Sequence, residues 1–213
     1  MQMLTTICLD QDGYPPDNPP GRRLCEKPIV SLFPALLTPA ECAHLAMAAR
    51  DLLEPTTVFD PSTGQLMRHP VRTSSGAVIG PTREDLVIQA INRRFAKISG
   101  SRIEQGEPIS ILHYAPGEQY RPHFDFITNS LNQRLKTIIV YLNQGYTGGA
   151  TQFLANGVTV QGKIGDAIMF DNVDETGARD ALSQHAGLPV VSGTKWIATR
   201  WIRQDDFNPW ENA

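Results

Sequence analysis

The chain has 213 residues, a formal net charge of −3, 41% hydrophobic and 19% charged residues. That length suits one large domain with its own core, and the slightly acidic balance argues against a nucleic-acid or membrane partner held mainly by charge. No apolar run reaches the length of a membrane span.

The N-terminus, MQMLTTICLDQDGYPP, lacks the basic and apolar regions of a signal peptide, so a cytoplasmic protein is expected. Residues 1–27, with GYPPDNPPGRR, read as an extended Pro/Gly-rich lead-in. Residues 28–213 read as a single domain. Cys8, Cys25 and Cys42 are odd in number and lack metal-finger spacing, so they read as reduced bystander thiols.

The first helix is marked by Thr38 as N-cap, Pro39 at the first position and Glu41 closing a capping box before CAHLAMAARDLL. A second helix is expected from Thr82, with Val87, Ile91, Phe95 and Ile98 on one stripe and a stop at Gly100. Between them, residues 54–80 are polar and turn-rich, and read as a functional loop that covers a site.

After residue 107 the pattern turns to short strands: 109–114, 120–126, 135–142, 150–154, 157–161, 166–170, 182–186 and 195–202. Glycine-bearing turns separate many of them. The fold class is therefore α+β, mainly β: a double-stranded β-helix (jelly roll) buttressed by N-terminal helices.

RPHFDF (121–126) places His123 and Asp125 two apart on an expected strand, so both side chains point to one side. A buried carboxylate needs neutralising, either by a salt link or by a metal. His44 and His69 have no acidic partner at useful spacing and read as ordinary surface or packing histidines; of His113 and Tyr114, one faces the interior. His185 stands on a late segment that a jelly roll brings beside an early strand. Two imidazoles and one carboxylate suit non-haem Fe(II) and leave positions open for a chelating cosubstrate and dioxygen.

Ten residues on, Lys195 lies in the apolar strand KWIATRWI, on the same side as Ile197 and Thr199. An inward lysine needs an anion. It is placed to hold the far carboxylate of a dicarboxylic acid, with Tyr114, Thr151 and Thr199 as candidate hydrogen-bond partners.

The strings ISILHYAPGEQYRPHFDF, TIIVYLNQGYTGGATQFL, GDAIMF and HAGLPVVSGTKWIATRWI together resemble the catalytic domain of the prolyl 4-hydroxylase family, and VRTSSGA (71–77) resembles that family's region before the second helix. These are Fe(II)- and 2-oxoglutarate-dependent dioxygenases with a double-stranded β-helix. The resemblance implies iron ligands at His123, Asp125 and His185, and Lys195 as partner of the 2-oxoglutarate C5 carboxylate, assisted by Tyr114 and Thr151. It makes Arg72, Arg134 and Trp201 candidates for the substrate side. It implies O2 as cosubstrate and ascorbate as reductant. Ala150, where the family often carries an acidic residue, and FL in place of a frequent FP bear on substrate identity. Asp125 speaks against halogenation, since related halogenases leave that ligand position to chloride.

The expected reaction is hydroxylation of an unactivated C–H bond, first of all the 4-position of prolyl residues in a peptide or protein, with release of succinate and CO2. A free amino acid or small metabolite is the alternative substrate, and a non-catalytic metal-binding jelly roll is the alternative from another class. The molecule is expected as a monomer or homodimer.

Overall fold

The computed structural model describes residues 19–60, 65–68 and 71–210, with side chains of 58–70 left aside. Strands β1 (Arg22–Glu26) and β2 (Ile29–Phe33) precede helix α1 (Pro39–Arg50). Then come β3 (Glu54–Pro55), β4 (Thr57–Asp60), β5 (Gln65–Arg68) and β6 (Ser75–Ile79), followed by helix α2 (Leu86–Ser99). The β-rich half holds β7 (Ile109–Tyr114), β8 (Tyr120–His123), β9 (Arg134–Tyr141), β10 (Thr147–Gly148), β11 (Thr151–Phe153) and β12 (Thr159–Val160). It ends with β13 (Ala167–Asp171), β14 (His185–Gly187), β15 (Val190–Ser192) and β16 (Lys195–Arg203).

Eight strands form the large sheet in the order β1-β2-β13-β9-β16-β7-β6-β3, and a smaller sheet runs β12-β11-β14-β8. Strand parity divides the core between them. On β9, Ile138 and Val140 turn towards the helices, in one cluster with Leu45, Ile88, Ile91 and Phe95. Ile139 and Tyr141 turn the other way and pack with Phe153 and Phe170, in the cluster between the sheets. The helices thus buttress one face of the large sheet, while its other face closes on the small sheet as a jelly roll.

Helix α1 begins as the sequence predicts. Thr38 Oγ1 accepts from the Glu41 N–H at 3.2 Å, and the Glu41 carboxylate accepts from the Thr38 N–H at 2.8 Å. Arg94 on α2 donates to both oxygens of the same carboxylate at 2.9 Å, which ties the two helices together in the core. Thr38→Ala removes one side of this box and is expected to lower stability by about 1 kcal/mol. The check is the shift in urea midpoint at unchanged slope; no shift means that the Arg94–Glu41 pair alone fixes the helix start.

Three expectations are corrected. Helix α2 starts at Leu86 rather than Thr82, because Asp85 supplies the N-cap, accepting from the Ile88 N–H at 3.0 Å, and Pro81–Arg83 form a separate 3-10 turn. Its other end is as expected, with Gly100 in the left-handed region at φ 67°. Residues 54–80 are not one long loop. The strands β4 and β5 pair as a hairpin, and β6 joins the large sheet beside β7, since Ala77 and Ile79 alternate into the core. Finally, His44 does have an acidic partner: its Nε2 lies 2.7 Å from Asp85 Oδ2, forty-one residues away and invisible to local spacing. His69 and Cys8 lie outside the described residues. Cys25 and Cys42 are free thiols, and burial pushes Cys42 up to about 12.

Candidate metal centre

In the small sheet β14 lies between β11 and β8, and the register sets His185 opposite His123. Their rings are 4.2 Å apart between centroids. Each ring is aimed by the same local device. His123 Nδ1 donates to the Arg121 carbonyl at 2.8 Å, and His185 Nδ1 donates to the Ser183 carbonyl at 3.0 Å. A carbonyl only accepts, so Nδ1 carries the proton and Nε2 is the free nitrogen in each ring. Both Nε2 atoms point at Asp125, His123 Nε2 at 3.7 Å from Oδ1 and His185 Nε2 at 3.7 Å from Oδ2.

The spacing of Asp125 from His123 predicts a side chain aimed by strand parity, and the structure corrects this. Strand β8 stops at His123, and Asp125 lies on a bend two residues beyond it, so strand parity does not aim its side chain. Tertiary contact does: the Thr137 hydroxyl, on β9, donates to Asp125 Oδ2 at 2.7 Å.

One ligand atom from each of His123, Asp125 and His185 lies within 4.8 Å of the others. Asp125 is only 5% exposed. Burial by itself raises its pKa, but the adjoining imidazoles and the Thr137 hydroxyl win and hold the carboxyl below the usual carboxylate range. Burial, with His185 alongside, pushes His123 down to about 3, so its ring is neutral at physiological pH. Two free imidazole nitrogens and an ionised carboxylate converging in the interior are a donor set that fits a divalent iron.

The centre opens into a cavity. Lys195, Thr199, Tyr114 and Thr151 all line it, as do Arg72 and Trp201. Lys195 is 2% exposed and faces inward with Ile197 and Thr199, as strand alternation predicts. Its ammonium donates to the Gly149 carbonyl at 2.6 Å and lies 5.3 Å from the Tyr114 ring centre. Among the described residues no carboxylate stands within ion-pairing distance of it, and burial pushes its pKa down to about 8. A desolvated cation beside a donor triad, in one cavity, fits an anionic cosubstrate that chelates at its other end. Thr151 Oγ1 lies 3.0 Å from the Tyr141 hydroxyl, which is also 3.2 Å from the Val160 carbonyl. Leu112, Ile139 and Ile197 supply apolar wall.

Arg72 is held at the rim by pairing of residues 71–73 along the outer edge of β8. The Arg121 N–H donates to the Val71 carbonyl, and the Thr73 N–H to the Gln119 carbonyl. Its guanidinium lies 5.3 Å from the Tyr120 ring centre. Arg134 does not line the cavity. It grips the buried Glu107 carboxylate, with Nη2 at 2.8 Å from Oε2, and lies over the Trp201 ring at 3.8 Å. It therefore supports Trp201 from behind. Trp201 Nε1 is buried with no hydrogen-bond partner among the described residues.

Sequence reasoning missed Thr137, the carbonyls of Arg121, Ser183 and Gly149, and Tyr120, which stacks on His123 at 3.3 Å. For Thr137 a signal existed, a threonine opening the apolar run TIIVYL. Backbone carbonyls leave no trace in side-chain identity.

Residues 109–203 match the family model described as the 2OG-Fe(II) oxygenase superfamily. The chain is 35% identical over 196 residues to Prolyl 4-hydroxylase 1 of Arabidopsis thaliana, an alignment covering 83% of this chain and 69% of the relative. It is 32% identical over 205 residues to Probable prolyl 4-hydroxylase 10 of the same plant, covering 85% and 71%. The structure is similar, with a TM-score of 0.66 and 27% identity, to a viral collagen prolyl hydroxylase from Paramecium Bursaria Chlorella virus-1 in its 2OG complex, covering 84% of this chain and 98% of that one.

Proposed function

We propose, for a chain that belongs to the 2OG-Fe(II) oxygenase superfamily, that it hydroxylates prolyl residues of a peptide or protein at the 4-position. The observation that carries this is one cavity lined by both the His123–Asp125–His185 triad and the carboxylate-free Lys195. Iron held there, with 2-oxoglutarate and dioxygen, supplies oxidation of an unactivated C–H bond, with succinate and CO2 released.

The protein's own part is positional. His123 and His185 present Nε2, because Nδ1 of each is spent on a backbone carbonyl. Lys195 takes the far carboxylate of 2-oxoglutarate, with Tyr114, Thr151 and Thr199 around it. Leu112, Ile139 and Ile197 keep water from the reacting centre. Arg72 and Trp201 face the substrate, and Arg134 acts through Trp201. Ascorbate serves as reductant.

The prolyl hydroxylase relatives support the peptide substrate, and the hairpin β4–β5 is assigned the role of a cover over it. A proline-rich peptide is pre-set in the polyproline II form, so little ordering entropy opposes its capture. The test offers free L-proline, a short proline-rich peptide and a peptide-free control, with iron, ascorbate and 2-oxoglutarate. Succinate and a gain of about 16 Da, one oxygen atom, are expected on the peptide alone. Oxidation of free proline with none on the peptide overturns the peptide reading and leaves the iron chemistry standing.

A further inference from the structure

We infer that Thr137 and Asn172 are positioning residues for the Asp125 carboxylate, fixing one of its oxygens so that the other is the metal's. The inference rests on the reading that a metal binds at this triad.

The hydrogen bonds leave one consistent arrangement of protons. The Thr137 oxygen lies 2.7 Å from Asp125 Oδ2 and 2.9 Å from the Asn172 side-chain amide. An ionised carboxylate only accepts, so the single Thr137 proton is committed to Oδ2. The Thr137 oxygen must then accept, and Asn172 must present its NH2 rather than its carbonyl oxygen. The result is a directed relay from Asn172 to Thr137 to Asp125. Oδ2 takes the Thr137 proton and lies 3.7 Å from His185 Nε2, whereas Oδ1 lies 3.7 Å from His123 Nε2 and takes no bond from Thr137. A carboxylate pinned in this way ligates through one oxygen, which keeps neighbouring coordination positions free.

Asn172 is an unexpected residue for the place it occupies. It is fully buried, and its side-chain oxygen has no partner among the described residues. Such an orphaned acceptor costs stability, so the amide is not explained by its contribution to packing. Its backbone is fixed from both sides, with its N–H donating to the Leu135 carbonyl at 2.8 Å and its carbonyl accepting from Asp180 at 3.0 Å.

The segment that starts at Asn172 also reaches Phe124 and His185. Val173 and Arg179 form an isolated bridge, and the Arg179 guanidinium lies over the Phe124 ring at 4.5 Å. Phe124 is the residue between His123 and Asp125. The same segment ends at Ser183, whose carbonyl aims His185. Residues 172–185 therefore hold the donor set from behind, and Asn172 is the point at which they reach the carboxylate.

The test titrates metal-stripped protein with Co(II), read by calorimetry and visible absorbance, beside thermal melting of each variant. Thr137→Val is expected to bind Co(II) about 10- to 100-fold more weakly than wild type, and Thr137→Ser, which keeps the hydroxyl, to recover most of that loss. Asn172→Leu keeps the number and branching of the side-chain heavy atoms and removes the orphaned oxygen. It is expected to melt no lower than wild type and yet to bind Co(II) more weakly, a divergence that a merely structural role does not produce. Should Thr137→Val fail to fold, the Asn172→Leu and Thr137→Ser measurements carry the decision. Wild-type Co(II) affinity in Asn172→Leu and Thr137→Val, with binding lost in His185→Ala, overturns this inference alone. Absence of Co(II) binding in the wild type overturns the metal reading with it.

Discussion

Replacing His185 with alanine is expected to abolish succinate formation and to weaken metal binding sharply while leaving the fold in place. The ring supplies one of three donors that converge within 4.8 Å, and no other histidine among the described residues stands near enough to replace it. Its Nδ1 is held by the Ser183 carbonyl, so Nε2 is already aimed before any metal arrives. Loss of a preorganised donor removes both affinity and the geometry in which the cosubstrate chelates. The structural loss is confined to a small void, since the ring packs against Phe170 at 4.6 Å between centroids, and such a void lowers stability without unfolding a domain of this size. Circular dichroism and melting check the fold, and coupled succinate detection checks turnover. Near-normal turnover in this variant removes His185 from the metal.

Lys195→Met is expected to weaken 2-oxoglutarate binding by about 10- to 150-fold, the equivalent of roughly 1.5–3 kcal/mol for a desolvated charge-assisted bond. Metal binding should survive, because Lys195 contributes no donor to the triad. The effect on the free protein runs the opposite way. Burial lowers the folded-state pKa of Lys195 to about 8 from its ordinary value of 10.5. The folded chain therefore releases this proton first, and between those two values the unfolded chain holds more protons. This residue's contribution to stability rises with pH across that window, and its full cost is present below it. Methionine, which carries no charge, removes that cost, so the cosubstrate-free variant should melt no lower than wild type at neutral pH. The proton also sets affinity. The carboxylate needs the ammonium form, so wild-type binding of 2-oxoglutarate should weaken as pH rises through about 8, while the methionine variant shows no such decline. Equal 2-oxoglutarate affinity in the two proteins means that the lysine holds some other group.

Much of this was legible in the sequence because alternation along a strand is a local property. KWIATRWI places Lys195, Ile197, Thr199 and Trp201 on one face whatever the rest of the chain does, and all four line the cavity. The same holds for the capping box at Thr38 and Glu41, which involves residues three apart. Where a boundary depended on competition between neighbours, local signals were weaker: Asp85 took the N-cap of α2 from Thr82. In 54–80 the turn residues masked the strand SGAVI, whose place depends on β7, more than thirty residues downstream.

The sequence by itself determined which residue types the centre contains, two histidines, an aspartate and a distant lysine, and the inward parity of the lysine strand. Only the tertiary structure decided how they meet. His185 faces His123 because β14 pairs with β8, a register fixed by long-range hydrogen bonding across sixty-two residues of chain. Asp125 joins them although its strand has already ended, because a hydroxyl on β9, itself bonded by an amide after β13, reaches it through the interior. Arg134, which looked like a substrate contact, is instead committed to Glu107 and to the back of Trp201. Side-chain direction follows from backbone period, but a hydrogen-bond partner is chosen by whatever the folded chain brings within 3 Å or so, and no local pattern encodes that.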